Sequence, residues 1–298
     1  MTSSLQQSGS LALGDVHYQV ATFDDRTLEQ TLSLLRVCFP RAAHFTADFL
    51  DWLYRANPVG APVGYNALIG DQIVGHLVGI PERIRLHGKP VTALLFCNVA
   101  THPDCRGKGL FLELAKKTAI RARDLGHAAI IGVANQNTIR GYEQRLGWQN
   151  VAGLHARLCF GSEGVDMARA LDSAQLHREW DDETLHWRMA NPCNPLRVFL
   201  SRDAQLVVTG RTPYPGLSIR ATIPRAGLDV GSLPTMARRA LTLSVGLLPT
   251  GTATGAYLPI PDKLRPSPLR LIFKDLVLKG RKLDSHAILF SFLDFDAF

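Results

Sequence analysis

The sequence predicts an α+β fold of two tandem modules, each a twisted mixed, largely antiparallel sheet flanked by helices, the second module degenerate. Three observations lead there. The 298 residues, 46% hydrophobic and 20% charged, suit two globular domains that each bury a core. The first half reads strand, two helices, a strand meander, and then a strand, loop, helix, strand and helix. The second half repeats a helix followed by a hairpin, more weakly.

His17 to Phe23 alternates as a strand does, and Asp25 to Phe39 carries Leu28, Leu32 and Leu35 at helical spacing before Pro40 stops it. Thr46 can cap a short helix with Phe49, Trp52 and Leu53 on one face, ended by Asn57-Pro58. Tyr65 to Ile69, Gly70-Asp71 and Gln72 to Ile80 form a hairpin, continued across Gly88-Lys89 into Val91 to Ala100. A helix is expected over Leu110 to Leu125 with Gly126 as its stop, then a strand over Ala128 to Val133 and a helix over Thr138 to Leu146.

In the second half, helical Asp181 to Ala190 leads to strands at Leu196 to Leu200, Gln205 to Thr209 and Leu217 to Ile223. Leu50-Asp51-Trp52 with Ala56-Asn57-Pro58, and Leu185-His186-Trp187 with Ala190-Asn191-Pro192, precede a hairpin in each half, which points to duplication. The expected domains are a flexible leader at 1–14, a first module at 15–163 and a second at 164–298.

No apolar run approaches the roughly 20 residues of a membrane span, and no signal peptide is legible, so a cytoplasmic protein is expected. Five cysteines without CxxC spacing argue against a disulfide framework and against zinc; no metal is expected. Residues 201–298 hold 13 Lys and Arg against 7 Asp and no Glu, a net +6. The charge is scattered, without a Lys/Arg block, Cys/His finger or aromatic RNP-like stretch, which disfavours nucleic acid and suits a phosphorylated small molecule.

Arg106-Gly107-Lys108-Gly109 lies between a predicted strand and a predicted helix. A Gly-rich turn entering a helix presents backbone N–H groups at the positive end of the dipole, and two cations add to the attraction for a pyrophosphate. The Walker and Rossmann spacings are absent.

The stretch Asn98 to Leu110, with Thr101-His102-Pro103, Arg106, Gly109 and Phe111, and downstream Asn135 and Tyr142 to Trp148, resembles the acyl-CoA binding core of the GNAT superfamily of N-acyltransferases. Phe111 stands where that family prefers Gly or Ala, and Thr101 replaces the usual Val. The resemblance implies that Val99, Ala100 and Thr101 lie along the pantetheine arm of acetyl-CoA or another acyl-CoA, that Arg106, Gly107, Lys108, Gly109, Leu110 and Phe111 hold its pyrophosphate, and that Asn135 sits near it. It also implies a proton donor to the leaving thiolate: counting from Asn135 selects Tyr142, counting back from Gly147 selects Glu143, and the nearer anchor favours Tyr142. Asn98 can orient but not deprotonate; His102 and Asp104 are candidate bases that also read as turn residues.

Within the superfamily, WLYRANP, THPDCRGKGLF, NQNTIRGYEQRLGW and the ending FSFLDFDAF look most like a two-module subgroup associated with surface polysaccharide pathways. That likeness implies a nucleotide-linked amino sugar as acceptor, with Trp52, Arg55 and Asn57 on the acceptor side; Asp294 and Asp296 cap the final strand or hold an ammonium. The second module lacks an RGKG counterpart, so one CoA per chain and a monomer or homodimer are expected. Two other readings stay open: N-acetylation of another amine or a protein N-terminus, and a non-catalytic CoA-binding module.

Overall fold

Strand β1 (Val16–Val20) and helix α1 (Asp25–Cys38) open the computed structural model, and Asp24 caps the helix by accepting from the Thr27 N–H. The structure describes residues 16–161, 164–201, 205–225, 228, 233–234, 241–265 and 268–295, so the expected leader lies outside the described residues. Thr46 caps α2 (Ala47–Tyr54) through the Phe49 N–H, as its position predicts. β2 (Val63–Ile69), β3 (Gln72–Leu86) and β4 (Lys89–Thr101) form the antiparallel meander. α3 (Leu110–Asp124) then carries the chain to β5 (Ala129–Ala134), which pairs parallel with β4.

The helix expected over Thr138 to Leu146 is instead α4 (Gln136–Arg140) followed by a turn of π-helix, Gly141–Arg145, closed by Leu146 N–H donating to the Gly141 carbonyl at 3.1 Å. The extra residue in this turn changes which side chains face inward. β6 (Gln149–Gly153), β7 (His155–Phe160), α5 (Met167–Ser173) and β8 (Leu176–Arg178) follow. α6 (Asp182–Met189) starts at a capping box between Asp181 and Thr184. Among the described residues seven strands follow: β9 (Arg197–Leu200), β10 (Leu206–Arg211), β11 (Ser218–Ile223), β12 (Leu241–Leu247), β13 (Ala256–Ile260), β14 (Arg270–Asp275) and β15 (Phe290–Ser291).

Two sheets result. The first runs β1-β2-β3-β4-β5-β14-β6 with β8 also on β3; the second runs β13-β7-β12-β11-β10-β9 with β15 on β12. Chain order and sheet membership part company at this point. β14, from the C-terminal third, lies between β5 and β6, while β7, from before residue 161, lies inside the second sheet.

Side chains alternate across a strand, so β3 sends Leu77 to the α3 face and Val78 and Ile80 to the α1/α2 face, and a bulge at Val74 shifts the alternation so that Val74 joins Leu77. A third cluster joins Leu95 and Ala129 of the first sheet to Ile219, Leu247 and Phe290 of the second, so the two sheets share one core. The duplicated motifs meet in the structure. Trp52 and Trp187 stack with ring centroids 5.1 Å apart, and each indole N–H donates to the other's backbone carbonyl, at 2.7 and 2.9 Å.

Candidate active site

β4 and β5 pair only from Ala93 opposite Ala129 to Phe96 opposite Gly132, yet both strands run on, to Thr101 and Ala134. Past Phe96 their facing backbone groups are not joined, and a seam opens between them. The same stretch of β4 is irregular on its other edge. Ala100 pairs with His76 and Cys97 with Val78, so Asn98 and Val99 together oppose Leu77 in a bulge, where Asn98 takes a left-handed φ of 50°. A non-glycine residue in that region is uncommon and stores strain, which the surrounding strands must hold.

Below the seam, Val99 packs toward the α3 face and Ala100 toward α1 and α2. The Thr101 carbonyl accepts from Arg106 Nε and Cys38 Sγ, both at 3.3 Å, which ties the end of β4 to the loop that follows. In that loop Gly107 and Gly109 have φ of 75° and 83°, a region where a β-carbon is strained, and no atom lies within 4 Å of where one would stand. Gly109 is the N-cap of α3 and contributes no side-chain cap. Among the described residues the N–H groups of Gly107 to Phe111 donate to no carbonyl, and Arg106 and Lys108 are exposed beside them. An anion is what such a cluster of donors and cations accommodates. Leu110 is buried and anchors the helix start under this loop.

Phe111 turns across to the π-turn, where its ring meets Tyr142 edge-on at 4.9 Å. A β-carbon on Gly141 would stand 2.8 Å from Phe111 Cε1, so the large side chain at the head of α3 is accommodated by a missing one opposite. The π-turn also separates Tyr142 from Glu143: Tyr142 is buried against Trp148 at 5.0 Å, and Glu143 is exposed. Burial, with the proximity of Cys97 adding to it, pushes the Tyr142 phenol well above its ordinary range. Its hydroxyl has no hydrogen-bond partner among the described residues and is not sealed from solvent.

Asn135 is committed elsewhere: its Oδ1 caps α4, accepting from the N–H groups of Asn137 and Thr138 at 3.0 and 3.2 Å. His102 caps the short turn at Pro103–Cys105 by accepting from the Asp104 N–H, and lies beside Gln30 and Ser33 of α1, on the opposite side of the sheet from Tyr142. Asp104 is its exposed neighbour, 3.8 Å away.

On the α1/α2 face a buried chain of polar groups reaches the bulge. Asn98 Nδ2 donates to Tyr54 Oη at 2.9 Å, Tyr54 Oη lies 3.0 Å from His76 Nε2, and His76 Nδ1 lies 2.7 Å from Asn66 Oδ1. Burial lowers the His76 pKa to about 3, so the ring stays neutral. Burial also raises Tyr54 well above its ordinary value, and Cys97 contributes again. Cys97 is thus within electrostatic reach of a tyrosine on each face of the sheet. Neither Tyr54 nor His76 carries a signal in the sequence, because neither stands in a recognisable spacing.

The acceptor-side candidates are placed differently from their expectations. Trp52 is 6% exposed and its ring is stacked on Trp187, so it packs the two halves together and presents no face to a sugar. Arg55 pairs with Asp25 and Asp51 at 2.6 and 3.0 Å and donates to the Phe23 carbonyl. Asn57 is buried, donates to the Pro81 carbonyl at 3.0 Å and accepts from the Val59 N–H, a turn that Asn191 repeats with Cys193. Asp294 is buried and accepts from the Ser291 N–H and hydroxyl, capping the last turn; burial raises its pKa against the pull of Arg178 and Arg188. Asp296 lies outside the described residues.

The family model of the acetyltransferase (GNAT) domain matches residues 19–151, which span the seam, the loop and Tyr142. That match is to an acetyltransferase domain and covers less than half of the chain. Solved structures resemble the chain beyond the matched stretch, across both sheets. A conserved protein of unknown function from Enterococcus faecalis V583 superposes over 87% of this chain and 73% of its own, at 11% identity and a TM-score of 0.54. A GCN5-related N-acetyltransferase from Anabaena variabilis ATCC 29413 covers the same shares at 14% identity and 0.54, and one from Kribbella flavida covers 87% and 71% at 14% and 0.51. At these identities the likeness is one of fold. No curated protein matches the sequence. Among the described residues no helix is long and apolar enough to cross a membrane, and no group of His, Cys, Asp and Glu is arranged to hold a metal ion.

Proposed function

We propose that the chain moves an acyl group from acyl-CoA to a primary amine, the amine belonging to a nucleotide-linked amino sugar. The observation that supports the transfer is the opening of the β4/β5 seam on the strand that runs into the Arg106–Gly109 loop, with Tyr142 packed on Phe111 at the head of the helix after that loop. The loop's open N–H groups and cations fit a pyrophosphate, and the unpaired strand edges fit an amide-bearing arm between them. The thioester supplies an activated acyl carbon. A neutral amine nitrogen forms the new C–N bond there, the C–S bond breaks, and Tyr142 gives its phenolic proton to the departing sulfur. Its raised pKa keeps the phenol protonated, and so able to donate, at neutral pH. Asn98 orients the amine, whose surplus proton leaves to water, and water returns a proton to the Tyr142 phenolate.

The net +6 over residues 201–298 supports an anionic acceptor, met near the junction of the two sheets, with the second module as a wall of the cleft. One feature favours another amine. The groove between α1 and α2 is lined by Asp25, Glu29, Asp48 and Asp51 against only Arg36 and Arg55, a balance that suits a cationic acceptor such as a polyamine.

Calorimetry with CoA, and thiol release from acetyl-CoA over a panel of nucleotide-linked amino sugars and polyamines, test the reading. Wild type binds one CoA, and Gly109→Asp, which strains a φ of 83° and adds an anion to the loop, abolishes binding. Unchanged affinity in that variant removes the cofactor assignment, and thiol release with polyamines alone removes the sugar.

A further inference from the structure

The buried chain from Asn66 to Asn98 has a direction. His76 is neutral, so one ring nitrogen donates and the other accepts. Asn66 Oδ1 is an acceptor, which makes Nδ1 the protonated nitrogen and Nε2 the acceptor of the Tyr54 O–H. With its proton spent, the Tyr54 oxygen has only lone pairs to offer, and Asn98 answers with its Nδ2–H. The Asn98 amide can therefore sit one way round only. Its Oδ1 is turned from Tyr54, has no hydrogen-bond partner among the described residues and is not buried from solvent. This happens at the bulge, on a residue held at a positive φ, where the β4/β5 seam begins.

We infer that Tyr54, held by His76 and Asn66, is a positioning residue that fixes the Asn98 amide so that its Oδ1 accepts a hydrogen bond from the N–H of the acceptor amine at the seam. The inference rests on the acyl-transfer reading above and assigns that reaction's acceptor side. An acceptor nitrogen that must be neutral to attack still carries N–H bonds, and a fixed carbonyl oxygen aims its lone pair at the acyl carbon. Chains of this kind are worth building in a buried place because an amide free to flip would offer the wrong group half the time. Gln or Asp would not serve in place of Asn98: one is too long for the bulge, and the other has no N–H for Tyr54.

The probe is a CoA whose sulfur is joined through –CH2–CO–NH– to a propyl chain, so that it carries an acceptor-like N–H beyond the thioester position. Its affinity and that of CoA alone are measured by calorimetry for wild type, Tyr54→Phe, Asn98→Gly and the double variant; glycine at 98 keeps the positive φ. The expected result is an about tenfold weaker probe in each single variant, no further loss in the double variant, and equal CoA affinity in all four. Equal probe affinity throughout, additive losses, or a parallel fall in CoA affinity overturns the positioning role and leaves the cofactor reading standing. Failure of wild type to bind CoA overturns that reading and this one with it. A second measurement needs no variant: nitrogen NMR of the wild-type protein is expected to show His76 protonated at Nδ1 and bare at Nε2. The opposite tautomer overturns the inference even if Tyr54→Phe fails to fold.

Discussion

Tyr142 and His76 are both buried titratable groups, and burial drives them in opposite directions because each keeps its uncharged form. For Tyr142 the consequence lies in the proposed reaction. Tyr142→Phe is expected to lower turnover about 10²-fold with CoA affinity unchanged, since a proton donor acts in the transition state. Its raised pKa also means that no alkaline fall in turnover below about pH 10 arises from its titration. Turnover equal to wild type would return the position to packing against Phe111 and Trp148. For His76 the consequence is stability. The unfolded ring titrates at about 6.5 and the folded one at about 3, so between these values the unfolded chain holds more protons and stability falls as pH falls. His87, His127 and His155 are lowered by burial too and act in the same sense. His76→Gln is expected to flatten the pH dependence of urea unfolding between about pH 5 and 6.5, by at most about 1.4 kcal/mol per pH unit. An unchanged slope would mean that this ring is not neutral in the folded protein.

At the scale of elements, the head of α3 and the π-turn are fitted to each other. Phe111 is the residue by which this loop departs from the family pattern, and Gly141 is its counterpart: the ring occupies the space a β-carbon would need. The fit sets the approach of α3 to Tyr142, so the Arg106–Gly109 loop and Tyr142, the phosphate site and proton donor of the proposed reaction, are joined through one contact. Gly141 has an ordinary helical φ of −64°, so alanine there is a steric change alone. Gly141→Ala is expected to cost about 1–3 kcal/mol and to lower turnover, and Phe111→Leu in the same chain to recover part of both. Thermal unfolding and thiol-release rates of the two variants check this; a single variant as stable and active as wild type would show that the ring moves aside freely.

For the whole molecule, the exchange of strands decides how the halves depend on each other. β14 supplies the partner of both β5 and β6, and β8 extends the edge beside β3, so residues up to 160 lack two strands of their own sheet. The junction is closed further by the Trp52 and Trp187 stack and by Glu82, buried between Arg178 at 2.7 Å and Arg188 at 3.3 Å. A fragment ending at residue 160 is therefore expected to aggregate, with β5 and β6 exposed as bare edges. Trp187→Ala is expected to cost about 3–5 kcal/mol while the full chain still unfolds in one transition. A soluble fragment that binds CoA, or two separate transitions in calorimetry, would show that the sheets fold independently.

The local features were legible in the chain: Thr46 as a cap and Gly109 and Gly126 as helix boundaries depend on neighbours a few residues apart. Even the repeat, read from two short motifs, corresponds to paired helices and matching asparagine turns. Trp52, Arg55 and Asn57 had the right composition for a sugar site, yet their partners lie 135, 30 and 24 residues away, and those partners use up the groups a ligand would need. The π-turn escaped the helical pattern because its cause is a ring on another element, and His76 and Tyr54 had no pattern to escape from. Periodicity and caps act through the nearest turns of the chain, where sequence distance and spatial distance agree. Strand exchange, buried polar chains and the choice of which side chain faces a seam arise from contacts between remote segments, and there only the packed fold brings cause and effect together.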